Sequence, residues 1–273
     1  IWAFFWKLPF IDYEYFGRLF YVFIFCFSII GVFFKKKNKF YFKTIFILTI
    51  LLLIYNYERF SGLQEVLIFS LLIISSRFLY DLKKNKNLNN IVALLLISNL
   101  LIWIKSEGLV FSVILMIILF VSHKINLKKK IIVLTTSVLI VSFKKVIYIY
   151  LQFDTAAQPH YNLPFLLSLD FLEVLNRIGH TFFYLSYYGL INSLFFIGII
   201  ILLFINLKKT KELDITIFNY YFLLNISFIF AAYIFREMEI VYSLRTTLER
   251  IVFVSSGFYL YLIFIFLDKR VKF

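Results

Sequence analysis

The lysines of this chain come in clusters, and their spacing constrains the fold more than any other feature. The runs are Lys35-Lys36-Lys37-Asn38-Lys39, Lys83-Lys84-Asn85-Lys86, Lys124 with Lys128-Lys129-Lys130, Lys208-Lys209 with Lys211, and Lys269-Arg270 with Lys272. Between consecutive clusters lie apolar stretches about two membrane spans long, each interrupted by a short polar turn. A span takes ~20 mostly apolar residues. The pattern predicts nine: Tyr15–Phe34, Phe40–Tyr57, Glu65–Tyr80, Leu88–Ile104, Leu109–Ser122, Ile131–Tyr150, Thr181–Asn206, Ile215–Phe235 and Ile251–Leu267. The expected fold is an all-α polytopic membrane bundle, a single transmembrane domain over residues 1–273.

Composition excludes the main alternatives. At 62% hydrophobic and 16% charged, the 273 residues depart from a soluble domain, which averages ~45–50% apolar and ~25% charged. One cysteine, Cys26, forms no disulfide within the chain. The net charge of +14 would fit nucleic acid only on a continuous water-facing surface. In the nine-span register, 19 of the 29 Lys and Arg fall on one side with 4 acids, and the other 10 lie opposite with 11 acids. The positive-inside rule then places the lysine clusters in the cytoplasm, the N-terminus outside and the C-terminus inside. The charge reads as a topology signal, and no nucleic acid partner is expected.

Chemistry is therefore sought on the near-neutral side. Its most informative element is the turn Trp103-Ile104-Lys105-Ser106-Glu107-Gly108, where two apolar segments meet almost without a loop. Charges this close to membrane depth face a cavity or a partner. On physical grounds alone the turn also fits an interfacial tryptophan anchor with a solvated ion pair. Lys144 and Lys145 lie thirteen residues into the sixth expected span. They fit a cation pair facing an outer cavity, or a span that stops at Phe143. The long segment from Leu151 to His180 carries His160, Pro159, Pro164 and Arg177, and its end, Phe171–His180, reads as an amphipathic surface helix. No metal motif stands at ligand spacing.

The lysine-bearing turn resembles the "W-x-K-N-E-G" turn of bacterial membrane glycosyltransferases of the GT-C fold, similar to protein mannosyltransferases and aminoarabinose transferases. Ser106 stands where that motif has Asn. The stretch Arg59-Phe60-Ser61-Gly62-Leu63-Gln64-Glu65 resembles the family's "G-Y-A-D" turn, with Gln64 and Glu65 at its last two positions. Leu244-Arg245-Thr246-Thr247-Leu248-Glu249-Arg250 resembles its "s-x-x-R" segment.

The resemblance implies a GT-C-like enzyme of the bacterial cytoplasmic membrane. It would move a sugar from a polyprenyl-phosphate donor to a glycan, lipid or protein acceptor on the extracytoplasmic face. Lys105, Glu107, Gln64 and Glu65 would form the active-site turn. Arg250, then Arg245, with Lys144 and Lys145, would hold the donor phosphate, and His160 and Arg177 would belong to an outer loop. Membrane lipids are the other expected partners, and the resemblance fixes no cofactor while allowing a divalent metal. The chain starts at Ile1, and the resemblance places the catalytic carboxylate upstream, with Asp12 and Glu14 the nearest acids inside it. The runners-up are an O-antigen polymerase or ligase and a lipid or solute transporter.

The topology is open to a direct test. With Cys26 replaced, a cysteine at His160 should react with an impermeant thiol reagent from outside the cell, and one at Lys128 should not. The reverse pattern inverts the topology.

Overall fold

The computed structural model describes residues 15–33, 64–84, 88–122, 126–151, 168–208 and 215–270. Among them the secondary structure is helical, without strands. In chain order the helices are α1 (Tyr15–Phe33), α2 (Glu65–Lys84), α3 (Leu88–Ile104), α4 (Ser106–Ser122), α5 (Leu127–Tyr150), α6 (Phe171–Ile191), α7 (Ser193–Lys208), α8 (Thr216–Ile234), the one-turn α9 (Ile240–Ser243) and α10 (Glu249–Arg270). A π-helical stretch, Leu244–Leu248, joins α9 to α10.

The packing is organised around α2. Val66, Leu67, Ile68, Phe69, Leu72 and Ile73 are buried on every side of the helix, and α1, α3 and α10 pack against it. A helix apolar all round is enclosed by other helices or by lipid, and here helices enclose it. Its hydroxyls do not disturb this arrangement. Ser70 donates to Val66 O, Ser75 to Leu71 O and Ser76 to Ile73 O, each at 2.7 Å, so these buried serines need no partner from lipid or core.

The α2–α10 contact is close because Gly257 has no side chain. A Cβ there would lie 2.5 Å from Phe69 O. Small residues let helix backbones approach in this way. Beside it the Phe69 and Phe253 rings stack 4.7 Å apart and nearly parallel. Tyr221 of α8 stacks on Phe258 at 3.9 Å and donates its hydroxyl to Ser255 O at 3.1 Å. Ser255 donates in turn to Asn225 Oδ1 at 3.1 Å. These buried polar contacts fix the register of α8 on α10.

Among the described residues, three helices are by length and composition able to cross a bilayer: α5, α8, and the 29-residue rod Ile240–Asp268. The pair α6–α7 makes a fourth if it counts as one span. The chain is thus a helical membrane protein, while the expected number of nine spans is not established. The 17-residue helices α3 and α4 explain part of the difference. Each rises only ~25 Å, short of a ~30 Å hydrocarbon core. The expected span Phe40–Tyr57 lies outside the described residues.

The expected continuous span Thr181–Asn206 is overturned. Helix α6 runs from Phe171 to Ile191, the chain turns through 101° at Asn192, and α7 begins at Ser193. Asn192 supports the break by accepting the Phe195 N–H on its side chain at 3.0 Å, as an N-cap does. The surface helix expected over Phe171–His180 therefore continues for eleven more residues.

If Gly257 is what lets α2 approach α10, Gly257→Leu should destabilise the protein by about 1–3 kcal/mol through overpacking. Thermal unfolding in detergent reads this out; an unchanged midpoint would show that the two helices separate freely.

Candidate functional site

Four charged side chains meet where α2, α4 and α10 begin. Glu65 is the first residue of α2, Lys105 is the single residue between α3 and α4, Glu107 lies in the first turn of α4, and Arg250 lies in the first turn of α10. Lys105 Nζ donates to Glu65 Oε1 at 3.0 Å and lies 3.4 Å from Glu107 Oε1. Arg250 Nη1 donates to the same Glu65 oxygen at 3.4 Å. The order of contact is Glu107, Lys105, Glu65, Arg250. Both acids also sit at helix N-termini, whose dipoles favour negative charge.

Local sequence explains how the turn closes so tightly. A Cβ at Gly108 would run into the carbonyl oxygen of Leu101. Glycine therefore lets α4 start directly beside the last turns of α3, and Ser98 and Ser112 tie the two helices together by a hydroxyl–hydroxyl hydrogen bond. Ser106 donates to Glu107 Oε2 at 3.1 Å and holds that carboxylate in place.

Burial grades the cluster. The Glu65 side chain is 8% exposed, that of Lys105 30% and that of Arg250 43%. The carboxylate is thus the inner member and the cations face outward. A buried carboxylate is costly unless cations and donors compensate it. The cleft is lined by Glu65, Ile68, Lys105, Phe111, Thr247 and Arg250, among others, and holds a cavity of about 10 Å³. That is room for about one water molecule. A larger ligand enters only by displacing a side chain, and the partly exposed Arg250 and Lys105 are the ones free to move outward.

The remaining expected site residues divide. Gln64 is exposed at the start of α2, and its carbonyl accepts from Leu67 N and Ile68 N at 3.1 and 3.4 Å. Arg245 turns away from the cluster: Nε donates to Tyr184 Oη at 2.9 Å, and the guanidinium lies over the Tyr184 ring. The π-helical stretch between the two arginines alters the offset that a regular helix would give them. Arg177 is 5% exposed. It donates to Glu173 Oε1 at 3.0 Å, to Arg236 O at 2.9 Å and to Tyr233 O at 3.5 Å. It therefore binds the carbonyls at the end of α8, which places it within the packing and not on an open loop.

Helix α5 continues unbroken through Lys144 and Lys145 to Tyr150. Lys144 Nζ donates to Ile102 O at 2.5 Å, and Lys145 is exposed. His160 lies outside the described residues. Among the described residues, no three His, Cys, Asp or Glu side chains gather where they could hold a metal ion.

Thr247 was not singled out by sequence reasoning. It lines the cleft and joins Tyr233 Oη at 2.7 Å and Arg236 Nη1 at 3.2 Å. Its position within the Leu244–Arg250 stretch was the only available signal.

The shared carboxylate makes a measurable prediction. A double-mutant cycle on Glu65→Gln and Lys105→Gln should show coupling of about 0.5–3 kcal/mol in unfolding free energy. The cycle with Arg250→Gln should show less, because Arg250 is more exposed and better screened. Strict additivity in both cycles would mean that the cluster carries no energetic link. No family model matches the chain, and neither a curated protein nor a solved structure matches it.

Proposed function

We propose that this chain is the membrane-embedded part of a glycosyltransferase that takes a sugar from a polyprenyl-phosphate donor and passes it to a glycan, lipid or protein acceptor. The observation that supports this reading is the meeting of Lys105, Glu107, Glu65 and Arg250. These residues come from the three separate stretches that resemble glycosyltransferase motifs, and they stand within 3.4 Å of their neighbours in the cluster.

The chemistry follows from the charges. An acceptor hydroxyl attacks the anomeric carbon, the new C–O bond forms as the bond to the lipid phosphate breaks, and a carboxylate takes the hydroxyl proton. The leaving phosphate gains negative charge, and Lys105 and Arg250 are placed to receive it in exchange for their hold on Glu65. Arg250 offers a planar fork that two phosphate oxygens can share, while Lys105 acts as a point charge. Glu65 keeps the two cations together between turnovers. The base in this scheme lies upstream of the cluster in sequence, as the family resemblance implies. The reaction would run on the extracytoplasmic side of a bacterial cytoplasmic membrane.

The 101° break between α6 and α7 favours a second reading, a transporter, since such proteins use interrupted helices at their substrate sites. The two separate cleanly by assay. In the full-length protein Arg250→Ala should lower sugar transfer by about 10²–10³-fold, the scale of losing one donor to a developing charge, and Glu107→Gln, which loosens the hold on Lys105, should lower it too, with membrane abundance unchanged in both. Wild-type transfer in both variants sinks the site, and solute flux without sugar transfer selects the transporter.

A further inference from the structure

Helix α5 is the least buried of the long apolar helices, with 6% of its span enclosed, and it is fastened to its neighbours at two points. Near its start Lys130 Nζ donates to Phe120 O at 2.9 Å, and near its end Lys144 Nζ donates to Ile102 O at 2.5 Å. Both acceptors are carbonyls in the last turn of a helix, α4 and α3 respectively, which is where cations bind well. Between the two fastenings, α4 and α5 do not close on each other. They leave a groove of about 390 Å³ lined by Val113, Met116, Phe120, Leu134, Val138 and Val141, among others.

Water is a poor occupant of this groove. A buried water needs about 2–4 polar partners, and the lining is apolar except for three serines. Ser112 is paired with Ser98, Ser137 donates to Val133 O at 2.9 Å, and the third, Ser142, is exposed and offers a water one partner at most. The space calls for an apolar chain.

Lys145 says what that chain carries. Leu134, Val138 and Val141 of the groove lie on one helical stripe, and Lys145, four residues beyond Val141, continues it. Its side chain is exposed between Phe143 and Val146, both apolar and exposed, and makes no hydrogen bond or ion pair with a described residue. A cation on an apolar membrane-facing surface is costly without an anion beside it.

The position of the groove on α4 separates it from the charge cluster. Leu109, Val113, Met116 and Phe120 line the groove, whereas Glu107 and Phe111 line the cleft. At 100° per residue these two sets point roughly 180° apart on the helix. A lipid in the groove therefore lies on the far side of α4 from Glu65 and Arg250, which fits a resident membrane lipid and not a sugar donor.

We propose that the α4–α5 groove holds one hydrocarbon chain of an anionic bilayer phospholipid, with its phosphate on Lys145. The lipid fills the gap that the two lysine fastenings leave and neutralises the exposed cation. This holds whether or not the chain transfers sugars, since it rests only on α4 and α5 lying in a bilayer.

Native mass spectrometry of the purified full-length protein tests it, with phosphatidylglycerol and phosphatidylcholine as probes. A single phosphatidylglycerol should be retained, roughly tenfold more strongly than phosphatidylcholine, as a charge-assisted contact implies. Lys145→Gln should make the two headgroups equal, and Val138→Trp should expel both lipids. Leu139→Trp, on the exposed side of α5 away from the groove stripe, should leave retention unchanged. Equal retention of both headgroups by the wild type overturns the proposal, as does retention that survives Val138→Trp. Displacement of phosphatidylglycerol by an equimolar polyprenyl phosphate also overturns it and makes the groove a donor site. Should Val138→Trp fail to fold, the exposed Lys145→Gln still decides the headgroup.

Discussion

The rest of the structure depends on the enclosure of α2. The first four turns of α2 bury side chains on every face, and α1, α3 and α10 supply the walls. Its first residue, Glu65, is therefore carried inward with it. A carboxylate at the buried end of a helix needs cations, and the same walls bring them: α10 offers Arg250 from its first turn and the end of α3 offers Lys105. The charge cluster is thus a consequence of how the core packs. Without the close approach allowed by Gly257, α10 would stand off from α2 and Arg250 would lose its reach.

The polar groups of the interior follow the same economy. The buried serine hydroxyls of α2 are satisfied by its own backbone, and the contacts between Tyr221, Ser255 and Asn225 couple α8 to α10 inside an otherwise apolar layer. Arg177 and Lys144 do at helix ends what serine does within helices: they use side chains to satisfy carbonyls that a terminating helix leaves open. A long cation can thus be a structural part in an apolar protein, and reading each one as a phosphate ligand overstates the chemistry. Arg250 and Lys105 differ because their partner is a carboxylate, which a phosphate can replace.

Much of the architecture was legible in the chain. The helix over Leu88–Ile104 could be read to the residue, because lysines and asparagines bound it on one side and the Trp103–Gly108 turn on the other. The expected start at Glu65 is also where α2 begins, although the helix runs past Tyr80 to Lys84. The break at Asn192 was not legible, since the chain from Phe182 to Leu207 carries no charge and only a single Asn–Ser pair marks the bend. Arg245 and Arg250 could not be sorted by a straight-helix argument, because the π-helical stretch changes their offset and Tyr184, sixty-one residues away from Arg245, draws one of them aside.

The amino-acid sequence by itself determined that this is a helical membrane protein with its charge held in short turns, because apolar length and lysine spacing are local properties that each segment carries alone. It also marked Glu65, Lys105, Glu107 and Arg250 as candidates. Only the tertiary structure decided that these four share one site, that Arg245, Arg177 and Lys144 serve other partners, and that a groove opens beside Lys145. The reason is physical: a contact between residues 40 or 185 positions apart depends on which helix faces meet, and that is set by the packing of the whole core.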